Sequence, residues 1–179
     1  MNDSLYAQLR ARFPQDRATL YLETPDGRSL SYGEMEKAAG RVANALTALG
    51  VKVGDRVAVH VDKSGENLLL YLGVLRMGAV FLPLNTSYTP TELDYFIGDA
   101  EPSLVVCTPA ERDEVAAIAA RHGNAKVETL GTHGEGTLWP KVETAPDDFA
   151  DAALGTDDLA CILYTSGTTG RSKGAMITQ

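Results

Sequence analysis

Cysteine is scarce in this 179-residue chain: there are two, Cys107 and Cys161. Each sits in a short apolar run, Leu104 to Cys107 and Leu159 to Leu163, where a reduced, packed thiol is the default; a disulfide framework and a catalytic thiol are set aside. Positive charge is also short, with 16 Lys and Arg against 24 Asp and Glu and a formal net charge of −8. Without a local basic patch such a surface holds neither nucleic acid nor an anionic membrane. The three histidines, His60, His122 and His133, have no i, i+4 partner and no Cys-x-x-Cys nearby, which excludes a protein-ligated zinc. No apolar stretch reaches the ~18 residues that span a bilayer. The start Met1-Asn2-Asp3-Ser4 lacks the basic and then apolar segments of a secretory signal, so the expected location is cytoplasmic.

What is present is an ordinary globular composition, 44% hydrophobic and 22% charged. Helices and strands alternate along it. Leu20 to Glu23 and Arg28 to Leu30 flank the turn sequence Thr24-Pro25-Asp26-Gly27 and read as a hairpin. Ser31-Tyr32-Gly33-Glu34 is a capping box, and Tyr32, Met35, Ala39, Val42, Leu46 and Leu49 form a helical stripe, stopped by Gly50, that is expected to face a sheet. Val57 to Val61, Val80 to Leu82, Leu104 to Cys107 and Val127 to Leu130 read as strands, with a helix from about Ser64 to Met77. Thr89-Pro90-Thr91-Glu92 and Thr108-Pro109-Ala110-Glu111 read as two more capping boxes with Pro at the first helical position. His60, among alternating valines, reads as a satisfied core residue. The fold class is therefore α/β, a mostly parallel sheet with helices on its faces. Residues 131–158, with their Gly, Pro and acidic pairs, read as a solvated connection in which Trp139 is a packing anchor.

The most specific stretch comes last. Tyr164-Thr165-Ser166-Gly167-Thr168-Thr169-Gly170-Arg171-Ser172-Lys173-Gly174 is small, hydroxyl-rich and glycine-rich, ends in one cation and stands between two strand-like runs. Consecutive amides in such a loop form an anion-binding concavity, hydroxyls add donors, and Lys173 adds a mobile point charge. The same residues also make ordinary turns, so composition alone leaves a plain hairpin connection open. A Walker loop is excluded, because Lys173 does not follow the second glycine, and no G-x-G-x-x-G occurs.

The order of residues in this stretch resembles the signature loop of the adenylate-forming superfamily, which includes acyl-CoA synthetases, nonribosomal peptide adenylation domains and luciferases. The segment Gly78-Ala79-Val80-Phe81-Leu82-Pro83-Leu84-Asn85, continued by Thr86-Ser87-Tyr88-Thr89, Glu92 to Ile97 and Asp99-Ala100-Glu101-Pro102, is similar to that of bacterial malonyl-CoA synthetases, as is Arg171-Ser172 before the lysine. The resemblance implies that Thr165, Ser166, Gly167, Thr168, Thr169, Gly170, Arg171, Ser172 and Lys173 wrap the phosphates of ATP. A carboxylate would then attack the α-phosphorus to give an acyl-adenylate, and CoA would be the second substrate. It implies Mg²⁺ carried by ATP and small-molecule partners only, malonate being the expected acid and another short acyl or dicarboxylic acid the competitor. Ser172 stands where proline is the common residue, which removes some rigidity but no donor.

The resemblance also implies that the chain is the N-terminal portion of an adenylation domain, without the adenine, ribose and acyl sites, the mobile C-terminal domain and its lysine. Two expectations follow: a fragment of an ATP-dependent acid–thiol ligase whose activity needs the downstream chain, or a truncated, inactive product or binding module that keeps only the loop.

Overall fold

The computed structural model describes residues 3–123, 125–165 and 172–179. Helix α1, Leu5–Arg10, leads to a hairpin of β1, Leu20–Glu23, and β2, Ser29–Ser31, as the turn sequence requires. Helix α2, Tyr32–Ala48, starts in the expected capping box: the Ser31 hydroxyl accepts from the Glu34 amide while the Glu34 carboxylate accepts from the Ser31 amide at 2.7 Å. Then come β3 (Arg56–His60), α3 (Gly65–Arg76), β4 (Val80–Pro83), α4 (Pro90–Ala100), β5 (Leu104–Cys107), α5 (Arg112–Arg121), β6 (Lys126–Thr129), α6 (Trp139–Thr144), β7 (Leu159–Thr165) and β8 (Lys173–Thr178). The large sheet has the order β6-β5-β3-β4-β7-β8, parallel except for β8, which runs antiparallel to β7. The α/β class with helices on the faces of a mostly parallel sheet is thus the observed one.

Both faces of the central strands are buried, which is why they read as unbroken apolar runs rather than alternating ones. Val57 and Val59 of β3, Phe81 of β4 and Leu104 and Val106 of β5 pack on one face with Val42, Leu46, Leu70 and Val74 from α2 and α3. Ala58, Val80, Leu82, Val105 and Cys107 pack on the other with Leu93, Phe96, Ile97 and Ile118 from α4 and α5. The α2 stripe divides its contacts: Val42 and Leu46 reach the sheet, whereas Met35 and Ala39 pack on Tyr6, Leu69 and Leu72. Helices α2 and α3 approach closely because position 73 is glycine; a Cβ there would lie 2.3 Å from Val42 Cγ1.

Two expectations need correction. Thr108 to Glu111 is not a capping box: Pro109–Glu111 forms a 3-10 turn without a side-chain cap, and α5 begins only at Arg112. The Glu111 carboxylate turns away from the backbone to accept from the Thr108 hydroxyl at 2.6 Å and to meet His60 Nε2 at 3.1 Å, two polar contacts made in place of the cap. Residues 131–158, though largely exposed, are docked on the core at several points rather than being a free solvated connection. They contain α6 and bury Leu138, Val142 and Leu154. The chain returns over α3 because buried Arg76 needs acceptors: Asp151 Oδ1 at 2.7 Å and the Phe149 and Glu36 carbonyls at 2.8 and 2.9 Å. A buried guanidinium costs several kcal/mol unless it is paired and hydrogen-bonded in this way. Trp139 packs partly buried against the core, as an anchor would.

Strand β8 is the sheet edge, and Leu163, Met176 and Ile177 on the β7–β8 hairpin are 38%, 71% and 43% exposed. An apolar edge strand pairs readily with another chain. The isolated chain is expected to self-associate at micromolar concentration and the double variant Met176→Lys, Ile177→Lys to associate less. Light scattering that shows the unmodified chain to be a monodisperse monomer would contradict this.

Candidate functional site

Thr165 ends β7 and Lys173 begins β8, and the two face each other as the last ladder pair, after Tyr164 and Gly174. The mouth of this hairpin therefore carries a hydroxyl and an ammonium side by side. Lys173 is exposed and forms no ion pair among the described residues. Of the nine residues expected to hold phosphates, Thr165, Ser172 and Lys173 are placed; Ser166, Gly167, Thr168, Thr169, Gly170 and Arg171 lie outside the described residues.

Helix α4 contacts both stems of this hairpin. Tyr95 donates its phenolic hydrogen to the Ser172 carbonyl at 2.8 Å, and the Tyr164 hydroxyl donates to Asp99 Oδ2. Phe96 lies between these contacts, its ring centroid 4.4 Å from that of Tyr164 and 5.4 Å from that of Tyr95. Burial and then the Asp99 carboxylate push the Tyr164 phenol well above its ordinary pKa, so it stays a donor. The helix is itself held at both ends. Thr89 and Glu92 form the expected capping box, Glu101 in the left-handed region (φ 46°) ends the helix before Pro102, and Asp94 accepts from Arg121 at 2.7 Å and meets His122 Nε2 at 3.0 Å. Tyr95 and Asp99 did not emerge from the sequence as site residues. Their spacing of four on one capped helix was legible, but nothing local ties them to positions 65 or 77 residues away.

The hairpin mouth opens at the carboxyl ends of the parallel strands. The segment after β3 leads to α3 on one face of the sheet, and the segment after β4 leads to α4 on the other. Where neighbouring connections diverge in this way a crevice opens, the place where open α/β sheets bind ligands. A hollow of about 970 Å³ occupies it, lined among others by Asp62, Lys63, Ser64, Asn85, Thr86 and Tyr88. That volume suits a small organic ligand or nucleotide.

His60 and the two cysteines lie in or against the core. His60 is fully buried on the side of the sheet facing α4 and α5; it is only half satisfied, since Nδ1 has no partner among the described residues. Burial, reinforced by the Glu111 charge, pushes the Cys107 thiol up to about 12, and burial pushes Cys161 up to about 11. Among the described residues no group of three His, Cys, Asp or Glu side chains is gathered as a metal cage, and no helix is long and apolar enough to cross a membrane.

The sequence pattern of the family described as "AMP-binding enzyme" matches residues 7–179. A crystal structure of ATP-bound MatB from Rhodopseudomonas palustris superposes with a TM-score of 0.94 at 56% identity, over 99% of this chain and 35% of that one. A feruloyl-CoA synthase from an Amycolatopsis species is 38% identical over 156 residues, 85% of this chain and 29% of that protein. The long-chain-fatty-acid–CoA ligase FadD13 of Mycobacterium tuberculosis is 33% identical over 162 residues, 90% of this chain and 32% of its own. This chain thus spans about a third of the length of these relatives.

Because only the thiolate is nucleophilic, raised thiol pKa values make both cysteines unreactive in the folded state. At pH 8, iodoacetamide is expected to alkylate Cys107 and Cys161 at least about a hundredfold more slowly before than after unfolding in urea. Rapid labelling of either in the folded chain, read by mass spectrometry, would place it in an activated environment.

Proposed function

The chain belongs to the AMP-binding enzyme family, and from that membership we propose that residues 1–179 are the N-terminal portion of the adenylation domain of an ATP-dependent acid–thiol ligase. The observation that carries this reading is the uncommitted Lys173 opposite Thr165 at the mouth of a hairpin, at the carboxyl end of a parallel sheet. In the first half-reaction an acid's carboxylate oxygen bonds to the α-phosphorus of ATP and pyrophosphate leaves. The ammonium of Lys173 and the hydroxyls of Thr165 and its neighbours would stabilise the charge that gathers on the departing phosphates, where a preorganised donor acts most strongly. In the second, the CoA sulfur bonds to the acyl carbon and AMP leaves. Mg²⁺ would arrive on the triphosphate, in keeping with its preference for phosphate oxygens and water over an all-protein cage.

Malonate is the acid we propose. Support comes from the segment whose order of residues resembles malonyl-CoA synthetases: its Asn85, Thr86 and Tyr88 line the hollow at the carboxyl ends of β3 and β4. ATP, a short carboxylic acid and CoA are then the partners, and the downstream two-thirds of such a ligase would supply the remaining groups. Orientation of reactants can be worth about 7–11 kcal/mol of barrier, so the 179 residues alone are expected to catalyse no exchange of pyrophosphate into ATP.

In a ligase that carries this chain as its N-terminal part, malonate-dependent exchange of labelled pyrophosphate into ATP tests the reading. Lys173→Ala is expected to lower that rate about 10²–10³-fold, the cost of losing one preorganised donor, and to leave thioester formation from supplied malonyl-adenylate nearly unchanged. Unimpaired exchange would remove Lys173 from the site, and exchange driven equally by unrelated acids would remove malonate.

A further inference from the structure

We propose that Tyr95 and Asp99 are positioning residues for the hairpin mouth, and that Tyr95 supplies by a hydrogen bond the restraint that a proline at position 172 would supply covalently. The proposal rests on the phosphate-site reading above. Residues four apart share one helix face, and this face of α4 reaches both stems: Tyr95 holds the Ser172 carbonyl at 2.8 Å and Asp99 accepts from Tyr164. Ser172 lies outside the β7–β8 ladder, whose last pair is Thr165 and Lys173. A serine there has free φ, whereas a proline has φ locked near −65°. The hydrogen bond from Tyr95 acts on the same residue through its carbonyl and so limits rotation about ψ where a proline would limit φ, and it is backed by a helix that cannot easily shift, because α4 is capped at Thr89 and tied to α5 through Asp94. Phe96, 2% exposed, packs against both phenol rings and backs them with the core.

The consequence is for affinity. Donors that must meet a triphosphate in one arrangement lose less freedom on binding when the stems that carry them are already fixed. Tyr95→Phe removes the hydroxyl and keeps the ring stack. In the 179-residue chain it is expected to weaken Mg·ATP binding about three- to tenfold, the effect of one hydrogen bond, and to speed amide exchange across Lys173 to Ala175 by a similar factor. The urea midpoint should move little. Ser172→Pro in the same chain should restore most of both losses, while changing little on its own, since the two restraints act on one backbone position.

Each outcome decides. Rescue of Tyr95→Phe by Ser172→Pro establishes the positioning role, because a loss of general packing would not be repaired by a remote proline. Wild-type exchange and affinity in Tyr95→Phe, or a loss that Ser172→Pro leaves uncorrected, overturns it. If a ligase that carries this chain as its N-terminal part binds no Mg·ATP, the phosphate reading fails separately, and the amide-exchange measurements on the same variants still support or overturn the restraint by Tyr95.

Discussion

Everything in this molecule depends on burying both faces of β3, β4 and β5. Their side chains alternate between two cores, so helices cover the sheet on both sides, and the connections after β3 and after β4 leave the carboxyl ends of the strands in opposite directions. The crevice between the segments after β3 and after β4 is a by-product of that requirement. So is the position of the hairpin mouth, since β7 joins the sheet parallel to β4 and points the same way.

Coverage of the sheet also explains the polar groups that are taken out of water. Arg76 is buried at the end of α3 where residues 145–152 cross to reach β7, and its bonds to the Phe149 carbonyl and the Asp151 carboxylate fix that crossing while the Glu36 carbonyl of α2 takes the third. On the other face His60 is buried because its position in β3 alternates with the valines that face α2 and α3, and Glu111 is recruited from the 3-10 turn before α5 to meet it. Both are costs of a layered fold, offset by hydrogen bonds rather than used for chemistry.

Helix α4 joins the scaffold to the candidate site. One face contributes Leu93, Phe96 and Ile97 to the core, and the adjoining Tyr95 and Asp99 reach the stems of the hairpin. A site built on two strands and steadied by a capped helix keeps its few polar groups in register without relying on a long connection to hold itself.

Local rules settled much of this in advance. The capping boxes at Ser31 and Thr89, the turn at Thr24 to Gly27, the buried strands and the hydroxyl-rich stretch before Lys173 each depend on neighbours within about one helical turn or one hairpin, and such interactions are written in adjacent residues. What needed the tertiary structure was every contact between residues distant in sequence. Thr108 and Glu111 have the letters of a cap, but His60, 51 residues away, takes the carboxylate. Residues 131–158 have the composition of a loop, but Leu138 and Val142 are drawn into the core and Arg76 captures the return. Tyr95 is an unremarked aromatic on an amphipathic helix until the fold sets it against Ser172, 77 residues on. The sequence by itself determined most of the strands and helices and marked out the hydroxyl-rich stretch before Lys173, because those depend on local conformation and residue type; the packing of the sheet decided which side chains reach the stems of that hairpin, because those contacts join residues far apart in the chain.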